Sequence, residues 1–354
     1  MARQIRIGMI GAGGIGRVQA EAVKAAGGRI VGVVDADPGR AENLANTHSA
    51  DYAGNSVKKL VAIDEIDAVI IGTPNVYHAS YTIAALRAGK HVFCEKPMAT
   101  SATDCRAMIR AAKKARRILT VGYTRRFMPA TEMVKAKVDA GELGTIYYAE
   151  SKWFRRRGIP GYGGWFTTRR LSGGGPLIDL GCHMLDLVLW FLDHPRPTRV
   201  FATAGCHLAN KDYTHAKTWS PYKKPVSKNQ TRYDVEDYAS AMIRFDTGVC
   251  MLLQTSWAIN MSESERVETW LAGDRAGCVI TDHVQFAGQE GGALTDTRYH
   301  LPDGKPFERQ MAHFLDCVAK GKRPRVRPEQ ALMVQQILDA IYRSSRLRRE
   351  VLVY

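Results

Sequence analysis

Two short stretches carry the side chains that could move a proton: Glu95-Lys96-Pro97, and a block running from Gly173 to Asp186. The first closes the apolar run His91-Val92-Phe93-Cys94. The second reads Gly173-Gly174-Gly175-Pro176-Leu177-Ile178-Asp179-Leu180-Gly181-Cys182-His183-Met184-Leu185-Asp186. Pro176 suits the first turn of a helix, and the glycines before it let another backbone or a ligand come close. On such a helix Asp179 and His183 are four apart, and His183 and Asp186 three apart. The spacing therefore predicts that all three share one face. A lysine, a carboxylate and an imidazole are what proton transfer at an alcohol or ketone needs. Each alone has a plainer reading as a solvated lysine, a structural acceptor or a core histidine; their joint occurrence is harder to obtain by accident.

The elements that would hold these groups follow from the apolar pattern. Residues 5–10 read as a strand, Gly11-Ala12-Gly13-Gly14-Ile15-Gly16 as a tight loop, 17–26 as a helix and 29–34 as a second strand ending at Asp35. Gly11, Gly13 and Gly16 match G-x-G-x-x-G between a strand and a helix, the context in which that pattern cradles a pyrophosphate at a helix N-terminus. Asp35 is positioned for an adenosine ribose and would repel a 2′-phosphate, which favours NAD over NADP. Arg40 keeps NADP open, because it could reach a phosphate. Thr73-Pro74-Asn75 and His78 follow a third strand, 68–71, at the same edge and are expected beside the cofactor. Strands 91–94 and 118–121 continue the alternation with helices, so residues 1–122 are predicted to form a doubly wound parallel sheet.

Beyond Gly122 the rhythm changes, and residues 123–354 are predicted to form an α+β domain with a largely antiparallel open sheet. Its strands are expected at 145–154, 199–206, 238–245, 249–259, 266–271 and 278–281, with one dominant helix at 176–192. Residues 210–232, polar and rich in Lys and Pro, read as a loop. Helices are expected at 306–320 and 328–346, the second packing back towards the first domain.

At 354 residues, 45% apolar and 24% charged, the chain has the composition of a soluble globular protein and the length for two domains. Its formal charge of +15 fits a basic surface or an anionic cofactor or substrate. No basic, aromatic-interleaved module supports nucleic acid. The 7 cysteines are scattered without a C-x-x-C pair, which argues for free thiols and against structural zinc, so no metal is expected. Arg3 and Arg6 weakly imitate a signal peptide, but the glycines that follow make a poor apolar core. The longest apolar run, near 187–192, is far short of a membrane span. A cytoplasmic enzyme with no membrane partner is the expectation.

The motifs together resemble the Gfo/Idh/MocA family of oxidoreductases, which includes glucose–fructose oxidoreductase and inositol dehydrogenase. The resemblance rests on the 11–16 glycine loop, Thr73-Pro74-Asn75, Glu95-Lys96-Pro97, Gly122-Tyr123 with Arg126-Phe127, the Gly173–Asp186 block and Val235-Glu236-Asp237. It implies an N-terminal Rossmann domain and a C-terminal domain whose open sheet serves a homodimer or homotetramer. It also implies Lys96, Asp179 and His183 as the catalytic set. His183 would take a hydroxyl proton while the carbinol hydride passes to nicotinamide, Lys96 would stabilise the alkoxide, Asp179 would orient the substrate or imidazole, and Asp186 would only support them. Glu95 and Lys96 join the expected cofactor residues.

The expected substrate residues are Lys96, Tyr123, Arg126, Trp153, Arg155, Trp165, Asp179 and His183. Around them lies a loop rich in arginine and aromatics, with Arg156, Arg157, Tyr162, Phe166, Arg169 and Arg170, which suits a pyranose or cyclitol or forms a basic surface. The leading expectation is an NAD-dependent dehydrogenase of a sugar, cyclitol or glycoside. One alternative is a glycoside hydrolase working through transient oxidation by tightly bound NAD. Another is a non-catalytic nucleotide sensor, which would have no chemical use for all three of Lys96, Asp179 and His183.

Overall fold

Short, mostly apolar runs build the first sheet. Ala68, Val69, Ile70 and Ile71 are each 0% exposed, because a parallel sheet is covered on both faces. The computed structural model describes residues 4–209 and 233–354. In it the strands β1 (Arg6–Ile10), β2 (Arg29–Val34), β3 (Tyr52–Gly54), β4 (Ala68–Ile71), β5 (His91–Cys94) and β6 (Leu119–Val121) are all parallel, in the order β3-β2-β1-β4-β5-β6. The order reverses between β1 and β4, so the carboxyl ends of these two strands flank the crevice where ligands bind in such sheets. Helices Gly14–Ala25, Pro38–Thr47, His78–Arg87 and Ala102–Ala115 make crossovers.

Two compact units emerge: Met1–Thr124 with Lys305–Gln335, and Arg125–Gly304 with Gln336–Tyr354. The helix Pro306–Lys320 joins the first unit because Met311, Phe314 and Leu315 complete the core around Ala20, Ala22 and Val23. Phe314 meets Phe93 edge-on, with ring centroids 5.6 Å apart. The helix Pro328–Leu347 begins in the first unit and ends in the second.

The second unit is built on a nine-stranded sheet: β7 (Ile146–Arg155), β8 (Pro197–Gly205), β9 (Tyr238–Phe245), β10 (Cys250–Ser256), β11 (Glu265–Gly273), β12 (Gly277–Ile280), β13 (Val284–Glu290), β14 (Ala293–Tyr299) and β15 (Val351–Leu352). The order is β14-β13-β12-β11-β7-β10-β9-β8-β15, antiparallel except where β7 and β10 run parallel. Burial alternates along β9, as a sheet with one covered face requires. Across neighbouring strands Phe201 pairs with Met242 and Met242 with Leu252, which gives the open face an apolar row.

Strands β3, β13, β14 and β15 are additions to the sequence reading. The β13–β14 hairpin escaped it because Gln285–Glu290 and Ala293–Tyr299 lack a clean apolar alternation. Its turn is made by Gly291 and Gly292, both at positive φ (56° and 83°), which a two-residue hairpin connection demands. The loop expected at 210–232 lies outside the described residues. Among those described, no helix is long and apolar enough to cross a membrane.

Candidate functional site

In the first unit the glycine loop connects β1 to the helix Gly14–Ala25. Gly11 sits at φ +102°, and a Cβ there would lie 2.5 Å from the carbonyl oxygen of Gly72, so β1 and β4 are drawn together only if it is glycine. A Cβ on Gly16 would run into the carbonyl of Gly11. Gly13 and Gly14 differ: a Cβ at either meets nothing within 4 Å. Gly13 is the N-cap and supplies no side-chain acceptor, and no acidic residue occupies the first turn. The helix therefore presents uncapped N–H groups to open space, which is the environment an anionic pyrophosphate fits.

Asp35 closes the other side of this loop. Its Oδ2 accepts from Ala12 N at 2.7 Å and its Oδ1 from Asp37 N at 2.9 Å, so the carboxylate is fixed at the end of β2 with lone pairs left for ribose hydroxyls. Arg40 is paired with Asp37 at 3.3 Å. An open helix terminus beside a fixed carboxylate is chemistry that the pyrophosphate and ribose of a nicotinamide dinucleotide fit.

Further along the same sheet, Glu95 and Lys96 follow β5, and the Lys96-Pro97 bond is cis. Glu95 is 5% exposed; its carboxylate accepts from Gln19 Nε2 at 2.5 Å and from Lys96 N at 3.2 Å, and burial pushes its pKa up. Gly122 makes room for it, since a Cβ there would lie 2.8 Å from Glu95 Oε2. Lys96 is half-buried. Thr73 and Pro74 are half-buried and Asn75 is buried beyond the end of β4.

His78, expected beside the cofactor, is 1% exposed, with Nδ1 2.8 Å from Pro97 O and Nε2 2.9 Å from Thr73 O. Both neighbours are carbonyl acceptors, so the neutral ring donates its one N–H to either the Thr73 or the Pro97 turn. Burial outweighs these carbonyls and pulls the imidazole pKa below its ordinary 6.5. Such a group adds stability above the unfolded pKa that is lost as pH falls through the folded one. Thermal melts between about pH 7.5 and about pH 5.5 are therefore expected to show a falling midpoint, and His78→Gln to flatten that slope.

In the second unit the Pro176 helix starts with a π-helical turn, Leu177–Gly181, before the α-helix Cys182–Phe191. The wider turn alters the facing predicted from uniform α spacing, as such insertions do at functional sites. Asp179 and His183 remain half-buried, whereas Asp186 is 0% exposed and turns inward. There it takes Arg126, also 0% exposed, in a bidentate pair: Nε donates to Oδ2 at 2.9 Å and Nη2 to Oδ1 at 2.6 Å. Arg126, expected at the substrate, is thus a core ion-pair partner. Tyr123, in the first unit, is also buried at 1% exposure.

Asp179 Oδ2 accepts from Trp257 Nε1 at 3.0 Å, a partner that no local spacing signals. The ring of Trp153 lies 6.1 Å from that of His183. Trp153 Nε1 donates to Glu265 Oε1 at 2.6 Å and Arg155 Nε to the same oxygen at 2.9 Å. The guanidinium of Arg125 sits 4.4 Å over the Trp153 ring and that of Arg155 5.3 Å. Burial lowers the Arg125 pKa to about 10. Of the adjacent arginines, then, Arg126 serves the core and Arg125 the His183 surroundings; the pair in sequence was the signal, but not which one points where.

The remaining loop residues largely support one another. Trp165 stacks on Phe166 at 3.8 Å, Phe166 meets Trp257 edge-on, and Tyr162 donates to Ala209 O at 2.8 Å. Arg156 and Arg157 donate to the 259–262 turn, through Ser262 O, Ile259 O and Asn260 Oδ1. Part of the excess arginine therefore anchors this loop.

A family model for the oxidoreductase family, NAD-binding Rossmann fold, matches residues 5–123, and the GFO/IDH/MocA C-terminal domain matches residues 131–279. Over 318 residues the chain is 31% identical to the D-glucoside 3-dehydrogenase of Escherichia coli K12, spanning 89% of this chain and 88% of that protein. The chain belongs to the Gfo/Idh/MocA family of oxidoreductases. Within the family it is also 28% identical over 338 residues to the scyllo-inositol 2-dehydrogenase (NAD(+)) of Bacillus subtilis 168, covering 92% and 89% of the two chains. A levoglucosan dehydrogenase solved with NADH and levoglucosan shares the fold, with a TM-score of 0.86 and 21% identity over 99% of this chain and 100% of that one.

Proposed function

We propose that this family member is an NAD-dependent dehydrogenase that oxidises a secondary alcohol of a carbohydrate or polyol, with glycosides the first class to test. The observation that carries the reading is the second unit's cluster: a half-buried imidazole at His183, a carboxylate at Asp179 held by Trp257, and the Trp153 ring beside them. NAD, when bound, accepts the hydride. His183 takes the hydroxyl proton as the hydride leaves. Asp179 accepts from a neighbouring hydroxyl, and Trp153 offers a ring face or edge to the sugar. Likeness to a D-glucoside 3-dehydrogenase supports the glycoside class.

Asp35 supports NAD over NADP. Asp35→Ala is expected to weaken NAD binding by about tenfold or more, since hydrogen bonds to a charged group are worth about 1.5–3 kcal/mol. Calorimetric titration with NAD and NADP checks this, and an unchanged NAD affinity contradicts it. The apolar row on the open sheet face, where Phe201 is 57% and Met242 47% exposed, supports a homo-oligomer. Activity is tested with NAD or NADP against alkyl glucosides, inositols, aldoses and uronates, following reduced cofactor and product together. Oxidised product with stoichiometric NADH is expected; aglycone release without NADH points to the hydrolase instead.

A further inference from the structure

The glycines at 173–175 precede the helix that carries Asp179 and His183, and their neighbours explain two of them. A Cβ on Gly174 would run into the hydroxyl of Tyr342, and one on Gly175 into the backbone carbonyl oxygen of Glu236. The close approach that this block permits is thus to the protein's own Glu236 and Tyr342. Glu236 is 3% exposed, and a single oxygen of its carboxylate, Oε1, accepts three hydrogen bonds. The donors are Gly175 N at 2.9 Å, Leu177 N at 3.2 Å and Tyr342 OH at 2.8 Å. The other oxygen faces Arg169 Nη2 at 3.7 Å. Gly175 and Leu177 flank Pro176, so this carboxylate satisfies the N–H groups that the helix leaves open at its start. A negative charge is also favourable there.

The next residue secures a second partner of the same helix. Trp257 N and Ser256 Oγ both donate to Asp237 O, at 3.0 and 2.9 Å, and Trp257 is the residue whose indole holds Asp179. Asp237 is itself 0% exposed, its carboxylate accepting from the backbone of His207, Leu208 and Ala209. One dipeptide therefore fixes the helix start through the Glu236 side chain and the Asp179 donor through the Asp237 backbone.

We infer that Glu236 is a positioning residue: by bolting the first turn of the Pro176 helix to Tyr342, it sets where Asp179 and His183 stand for the reaction. The inference rests on the dehydrogenase reading for its kinetic readout. Glu236→Ala leaves two buried N–H groups without their acceptor and opens space beside two glycines. A displacement of about 1 Å at a reacting group lowers turnover by about a hundredfold, so a kcat loss of that order is expected with KM for the glycoside within about threefold. Glu236→Gln keeps an acceptor oxygen for Gly175, Leu177 and Tyr342, and is expected to restore kcat to within about fivefold of the wild type.

The test compares wild type, Glu236→Ala and Glu236→Gln by steady-state kinetics, by melting temperature and by the NMR resonance of the His183 imidazole, assigned with His183→Ala. Loss of kcat with retained KM, rescued by glutamine, supports the inference. A lower melting temperature with unchanged kcat overturns it, because a purely structural acceptor behaves that way. If the wild type reduces no NAD with any substrate in the panel, the dehydrogenase reading fails. A His183 resonance that moves in the alanine variant and returns in the glutamine variant then still supports positioning, and an unmoved resonance overturns it.

Discussion

His183→Ala is expected to lower kcat for glycoside oxidation by about a thousandfold, within the range of about 10²–10⁴ that general acid–base groups contribute. His183 lies just beyond the π-helical turn, half-buried, with the Trp153 ring 6.1 Å away. Asp179, four residues before it, has its Oδ2 held by the Trp257 indole. An alanine here removes the proposed proton acceptor and leaves the Asp179–Trp257 hydrogen bond in place. The proposed dinucleotide site, made of the glycine loop, the open terminus of the helix Gly14–Ala25 and Asp35, lies wholly in the first unit. NAD affinity is therefore expected to stay within about twofold while kcat collapses, the pattern of a group acting in the transition state. Steady-state kinetics alongside calorimetric NAD titration checks it. Near-normal turnover removes His183 from the mechanism.

Asp186→Ala is expected to destabilise the protein by about 3–5 kcal/mol, because it leaves a buried guanidinium without its counter-charge. Both side chains are 0% exposed, the pair is bidentate, and His194 Nε2 lies 3.1 Å from Arg126 Nη2. At about 2–4 °C per kcal/mol for a domain of this size, the midpoint should fall by about 6–20 °C. Arg126→Met with Asp186→Leu is expected to recover much of that loss, since an apolar pair of similar volume removes both desolvated charges. Thermal denaturation of the two variants measures the difference. A single variant melting with the wild type would place the pair outside the cooperative core.

The fold was legible in the sequence wherever local pattern decides it. Apolar runs ending at Gly11, Gly72 and Glu95 announced a parallel sheet, and the glycine spacing announced its ligand edge. Facing was harder. Uniform helical spacing grouped Asp186 with Asp179 and His183, and the buried ion pair with Arg126 draws it into the core. Nothing local separates Arg125 from Arg126, because which one turns towards Trp153 is decided by packing. Long-range partners were invisible for the same reason: Trp257 meets Asp179 from 78 residues away and Tyr342 meets Glu236 from 106. The hairpin β13–β14 was missed because it has little apolar surface to alternate.

The central claim, that His183-assisted hydride transfer from a carbohydrate carbinol to NAD is the reaction, is tested most directly by isotope transfer. The protein is incubated with NAD and a glucoside deuterated at its ring carbinol carbons, and the cofactor is analysed by mass spectrometry. The account predicts reduced cofactor heavier by one deuterium, formed together with the oxidised glycoside and lost in His183→Ala. Consumption of the glycoside with no deuterium on the reduced cofactor, or equal labelling by the alanine variant, contradicts it.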